Sequence, residues 1–440
     1  MALSAAVEPG GWRSRLTSTT WASRAAVLAC GLVLVTHPIS FGNLLIDLRP
    51  SVVIAVIMIV VTILHVPQLL SELARPVAAP ATLFLAWEVL LLLGFAFSWS
   101  YFDFWASPGL EINAITYLLL PQALCLALGL AVARDQRLVG RILDVMLVSG
   151  CVAISVAIAL YLTRPGFAVA ADERIYQELA DRYSGFLPRM NGYYNSMILG
   201  AVCYSTMGIG LFRLRRPALQ ALVMVICLVG SALTMQRASW GLTGVTGLLG
   251  ILMLIRGLVR NSGPRGVLIL FLVLGVATTT VIGGFNYALD QPWFAISIRE
   301  ADNRVRLLNE SVAERSGQWE FALNQAKRAP MGVGTGLLGS KSRTSEGLSP
   351  FAVTDGNLFS ILVEQGPVGL FLFVVTVGIA IARTLWARRF DVAAPALLIL
   401  AGSMGTNLFD LYYISFVFWL LIGIGLGLPP RPGRPQPAAG

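Results

Sequence analysis

The chain has 440 residues, of which 56% are hydrophobic and only 12% charged, and its mean hydropathy is +0.74. A soluble domain carries about a quarter charged residues, so a water-soluble globular enzyme is excluded, and repeated apolar runs of about 20 residues point to bilayer-spanning helices. The net charge of +9 does not argue for nucleic acid, because basic residues in so apolar a chain hold loops on the cytoplasmic side of a membrane.

The fold expected is an all-α polytopic membrane protein with about twelve transmembrane helices. Residues 1–24 form a polar tail with Arg13, Arg15 and Arg24. The first apolar run is long enough to stay as a span, so no cleavable leader is expected. Spans are predicted at 25–46, 51–67, 81–98, 112–133, 141–163, 192–212, 218–235, 240–257, 266–287, 367–386, 393–409 and 411–428, with a tail at 429–440. The clusters RLRR at 213–216, Arg256, Arg260, Arg265, ARR at 387–389 and the RPGRP tail then share one side. By the positive-inside rule both termini are cytoplasmic. The same parity places two loops outside, one at 164–191 between spans 5 and 6, the other at 288–355 between spans 9 and 10.

The second loop balances eight acidic against eight basic residues. It holds RSGQWEFALNQAKRAPMGVGTG, residues 315–336, a half-apolar helical pattern stopped by Pro330 and followed by glycines. Trp293, Trp319, Phe321 and Leu323 argue against disorder, and an amphipathic helix lying on the bilayer surface is expected. The stretch TDGNLFSILVEQGPVGL, 354–370, reads as a helix entering the membrane from outside and kinked at Gly366-Pro367. Asp355 sits where a carboxylate would cap that helix, or where a general base could work.

Several residues carry candidate chemistry. Arg189 in FLPRMNGYYN, Arg237 in TMQRASWG and Arg315 all fall outside, against the positive-inside bias. Each is either an interfacial arginine reaching water or a phosphate ligand, since a guanidinium forks two hydrogen bonds onto phosphate oxygens. PMGVGTG, with Gly332 and Gly334, is no P-loop, because no GK[ST] follows. It is either a flexible turn or backbone that approaches a ligand closely. Glu364 is an ionisable group in an apolar helix and hence a functional candidate. Glu88 and Asp410 are weaker candidates, since side chains near span ends reach water. The five cysteines lie in apolar runs without a CxxC pair and read as small packing residues. His37 and His65, the two histidines, form no metal-ligand pattern, so neither a metal nor a cofactor is expected.

Taken in order, RMNGYYN before a span, MQRASWG at an outer turn and the pattern R-x3-W-x10-P-x-G-x-G from Arg315 through Trp319, Ala322, Pro330, Gly332 and Gly334, closing on Glu364 and Gly366, resemble one group. It is the O-antigen ligase and polymerase superfamily, the Wzy and WaaL proteins, and the chain is most similar to its exopolysaccharide polymerases. The specific match covers residues 185–370. The resemblance implies a metal-independent glycosyltransferase at the periplasmic face of a bacterial inner membrane. Its donor glycan rides on undecaprenyl diphosphate and its acceptor is a sugar hydroxyl. Arg237 and Arg315 would bind the diphosphate with Arg189, and Trp319, Gly332, Gly334 and Glu364 would line the substrate site. A chain-length regulator is an implied candidate partner; nucleic acid is not. Ligases of the group carry histidine eleven residues before the closing glycine, where this chain has Asp355. That favours a polymerase with Asp355 as base. Two alternatives stay open: ligase-type transfer to a lipid or protein acceptor, and a lipid-linked glycan transporter without chemistry.

Overall fold

The computed structural model of the protein describes residues 23–31, 57, 59–65, 69, 75–99, 119–163, 196–234, 236–256, 308–332, 334, 356–410 and 412–429. Among them all regular structure is helical. After helical stretches at 23–31 and 59–64 come α1 (Ala79–Trp99), α2 (Leu120–Val132), α3 (Gln136–Thr163), α4 (Ser196–Arg213), α5 (Pro217–Leu233) and α6 (Arg237–Arg256). Then follow α7 (Leu308–Arg328), α8 (Asn357–Trp386), α9 (Phe390–Ser403) and α10 (Tyr412–Gly427). Among the described residues, three helical stretches are long and apolar enough to cross a membrane: Gln136–Ala159, Arg237–Arg256 and Asn357–Trp386. Six shorter apolar helices accompany them.

Local chemistry explains the boundaries. Asp135 caps α3, its Oδ1 accepting the backbone N–H groups of Arg137 and Leu138 at 3.0 Å each. Pro217 stands at the first position of α5, where its missing N–H costs nothing. The expected span at 266–287 lies outside the described residues.

The helices pack through small residues, as membrane helices do when tight approach is the main source of attraction. A Cβ on Gly129 of α2 would lie 2.7 Å from the backbone nitrogen of Ile424 in α10, so the two backbones touch. The centre of α10 is buried, and Trp419 stacks on Phe84 of α1 at 5.6 Å and meets Phe373 of α8 edge-on at 5.9 Å. Helix α9 runs antiparallel to α4: Gly208 faces Pro395 and Leu398, and Gly402 faces Tyr204. Cys30, Cys125, Cys203 and Cys227 are buried free thiols inside this packing and Cys151 is half-buried.

These directions separate two ends of the bundle. At one end Arg213 holds Asp144 with two bonds of 2.7 and 3.0 Å. Its Nη1 also lies 3.8 Å from Asp391, which Arg389 grips through 2.8 and 3.1 Å bonds. Arg389 also donates to Gln136. This network ties α3, α4 and α9, and it contains arginines from two of the basic clusters, at 213–216 and 387–389. At the opposite end lie the starts of α4, α6 and α8 and the 404–410 turn.

Candidate functional site

The opposite end is built around a broken helix. Helix α8 runs 30 residues, but Gly366 within it has φ 69° and ψ −178°, so the helical path is interrupted there. Pro367 follows, and without an N–H it leaves the Val363 carbonyl without its usual donor. The kink read from the Gly-Pro pair is therefore present. Below it, Pro367 to Trp386 gives 20 residues, about 30 Å of helix and enough to cross a hydrocarbon core. Above it stands a nine-residue segment, Asn357 to Gln365.

That upper segment is anchored at both ends. The N-cap position is Gly356, with φ 109° and no side-chain cap. The expectation of Asp355 as the capping residue is therefore corrected: the cap position lies one residue later, and Asp355 itself is outside the described residues. The Gly356 N–H donates to Asn407 Oδ1 at 3.0 Å, and Ser360 Oγ donates to the same oxygen at 3.3 Å. In return, Asn357 Oδ1 accepts the Phe409 N–H at 3.0 Å. A Cβ on Gly356 would lie 2.6 Å from the Met404 carbonyl oxygen, so only glycine fits this crossing.

The glycine motif closes the other end. The Gly334 N–H donates to the Glu364 carbonyl at 3.0 Å, meeting a carbonyl next to the break from outside the helix. Gly332 has φ 87° and Gly334 φ 121°, conformations that favour glycine. A Cβ on Gly332 would collide with the Glu364 carbonyl, 2.6 Å from its carbon. A Cβ on Gly366 would in turn press on the Pro330 carbonyl and come within 2.9 Å of the Gly332 nitrogen. The close approach for which these glycines are needed is thus to another stretch of backbone, the broken turn of α8.

Helix α7 docks beside the upper segment. Trp319 stacks on Phe359 with centroids 5.1 Å apart and planes 12° from parallel. Ala322 is fully buried and packs with Val363. The sequence pattern placed Leu323 with Trp319 and Phe321 on the apolar side, but Leu323 is 50% exposed and Ala322 makes the contact. Leu323 is one residue past Ala322 and so about 100° around the helix from it, on the other flank of Trp319. Position 315 precedes Ala322 by seven residues, about two turns, and so falls on the docked side.

Arg237 opens α6, and the turn before it is fixed by hydroxyls and an indole. Ser231 and Ser239 share a 2.7 Å hydrogen bond, Thr234 Oγ1 donates to the Ser231 carbonyl at 2.7 Å, and Trp240 Nε1 donates to the same carbonyl at 3.1 Å. A Cβ on Gly200 of α4 would lie 2.8 Å from Ser239, so α6 starts directly against the start of α4. This accounts physically for the small and polar residues of TMQRASWG and leaves half-buried Arg237 at the helix mouth.

Trp319, Gly332, Gly334 and buried Glu364 therefore come together in one assembly. Arg237 lies at the same end of the bundle. Arg189 lies outside the described residues, as does the side chain of Arg315. A further group, visible in the sequence only as scattered polar residues, lies just inside the break. Trp87 Nε1 donates to the Gln365 carbonyl at 2.9 Å, and Gln365 Nε2 donates to Glu88 Oε1 at 2.7 Å. Glu88 is fully buried, which corrects the expectation that it reaches water. His65 has Nδ1 2.8 Å from the Val61 carbonyl, a bond within its own helical turn. No protein-family model matches the chain, and no curated protein is similar to it.

Proposed function

We propose that the protein is a polysaccharide polymerase, a metal-independent membrane glycosyltransferase that takes glycan from undecaprenyl diphosphate and joins it to an acceptor sugar hydroxyl. The observation that carries this reading is the assembly at the break of α8. Trp319, Ala322, Pro330, Gly332, Gly334, Glu364 and Gly366, the residues that bear the family resemblance, build one unit. A motif held together by mutual contact is a stronger basis for the resemblance than spacing alone. In this reading the chain has twelve spans, its termini and the Arg213–Arg389 end face the cytoplasm, and the broken-helix end faces the periplasm of a bacterial inner membrane. The sharing of one bundle end by Arg213 and Arg389 supports that sidedness.

In the proposed reaction the acceptor hydroxyl oxygen attacks the anomeric carbon, and the bond from that carbon to the phosphate oxygen breaks. The hydroxyl proton passes to the Asp355 carboxylate, and the electron pair leaves with the lipid diphosphate. Arg237 and Arg315, with Arg189, neutralise the charge that develops on it; fixed donors of this kind are often the largest single catalytic contribution. Helix α7 and the loop after it form a wall for sugar over a phosphate site at the lipid boundary.

The test is the full chain in lipid nanodiscs with undecaprenyl-diphosphate-linked repeat units. A ladder of longer lipid-linked glycans is expected. Transfer to a second acceptor would make the protein a ligase, and no new glycosidic bond would overturn the transferase reading. Arg237→Ala and Arg315→Ala should each lower the rate about 100- to 1,000-fold, and lysine should rescue poorly because it lacks the fork. Full activity of either alanine variant removes that arginine from the site, and an unchanged pH profile in Asp355→Asn removes the base.

A further inference from the structure

A carboxylate with no exposed surface, inside a bundle of apolar helices, costs several kcal/mol unless it is fully hydrogen-bonded. Glu88 is such a group. Gln365 Nε2 donates to its Oε1 at 2.7 Å; the Gln122 amide of α2 also faces the carboxylate, and with its nitrogen rather than its oxygen assigned to that side it lies 3.0 Å from the same oxygen. Gln365 is 1% exposed, and its own side-chain oxygen has no partner among the described residues. Its amide is therefore oriented by Glu88 and not by a balanced set of its own bonds. The neighbouring Trp87 holds the Gln365 backbone carbonyl at 2.9 Å. Two consecutive residues of α1 thus grip one residue of α8 by side chain and main chain together.

The gripped residue immediately precedes the break at Gly366. From the other side the same turn is held by the Gly334 N–H on the Glu364 carbonyl. Glycine at 366 permits many backbone angles, so at the break the direction of the upper segment is set by these two clamps, while its far end is held by the bonds to Asn407 and Phe409. Any tilt of that segment moves Phe359 against Trp319 and Val363 against Ala322, and so shifts α7.

We infer that Glu88 is a positioning residue: its hydrogen bond to Gln365 sets the angle of the broken helix and, through it, the placement of α7 and the catalytic groups at the bundle end. This rests on the transferase reading for its effect on rate, while the clamp itself can be observed without turnover. The distinguishing experiment uses Glu88→Ala, the equal-volume Glu88→Gln, Gln365→Ala and the exchange E88Q/Q365E, each in nanodiscs with lipid-linked repeat units. Misplacing reacting groups by about 1 Å lowers rate about 100-fold, so a kcat loss of about that size is expected for Glu88→Ala and Gln365→Ala, with KM for the donor unchanged. The exchanged pair keeps a carboxylate facing an amide and should recover most of kcat. In parallel, nitroxides on L83C and K327C, two exposed positions, report the distance from α1 to α7. Half-buried Cys151 is replaced by serine in that background. The distribution should broaden in both alanine variants and narrow again in the exchange. Unchanged distances in Glu88→Ala overturn the inference, as does wild-type kcat in that variant. If Glu88→Ala fails to fold, Glu88→Gln is read by the same two measurements. If wild-type protein forms no glycosidic bond but the distances respond as stated, the transferase reading falls and the clamp stands.

Discussion

Gly332→Ala tests whether the glycine motif locks the broken helix. Position 332 has φ 87°, and placing an L-residue with a Cβ there costs about 1–2 kcal/mol. The new methyl would also collide with the Glu364 carbonyl. The carbonyl cannot move without loosening the 3.0 Å bond from the Gly334 N–H, a loss of about 1 kcal/mol. Undocking of the 330–334 turn should therefore become easier by about 2–3 kcal/mol, a factor of about 30 to 150 in the local equilibrium. Hydrogen–deuterium exchange by mass spectrometry on the protein in nanodiscs reads this directly. The Gly334 amide and the first turns of α8 should exchange faster by about that factor, while α9 and α10 stay unchanged. Gly317→Ala is the internal control. It lies on the exposed face of α7, with nothing within 4 Å of the place an added methyl group would occupy, and alanine there should stabilise the helix by about 0.5–1 kcal/mol. Equal exchange in wild type and Gly332→Ala would refute the lock, as would Gly317→Ala behaving like Gly332→Ala.

Two further outcomes follow from the contacts. Trp319→Ala removes the stack on Phe359, worth about 0.5–1.5 kcal/mol beyond the lost buried area; α7 should become a tryptic target at exposed Lys327 and Arg328, and Trp319→Phe should restore most of the protection. Asp391→Ala leaves Arg389 without its two carboxylate bonds and Arg213 with Asp144 as its carboxylate partner among the described residues, so thermal unfolding in detergent should occur a few degrees earlier, with a loss of about 1.5–3 kcal/mol for charge-assisted bonds between partly buried groups. A melting temperature equal to wild type would show that the network at that end adds nothing to stability.

What could be read from residue order was whatever is set within a few residues along the chain. Apolar runs placed helices close to those observed: the run at 218–235 corresponds to the helix Pro217–Leu233, and that at 411–428 to Tyr412–Gly427. The Gly366-Pro367 kink was equally readable, since a missing N–H and a missing Cβ act where they stand. Asp355 as a cap was a near miss of one position, because Asp and Gly both suit a helix start and only the observed angles at Gly356 separate them.

The tertiary structure alone decided what those local features meet. Glu88 and Gln365 are 277 residues apart, and nothing along the chain says that a carboxylate in one helix will hold an amide beside a break in another. Likewise, the glycines at 332 and 334 read equally as a flexible turn or as backbone approaching a ligand, and what they meet, the Glu364 carbonyl, belongs to a different helix. Local covalent geometry and hydropathy are short-ranged and therefore written in the sequence, whereas the partner of a buried polar group is fixed only when helix packing brings distant positions within hydrogen-bonding distance.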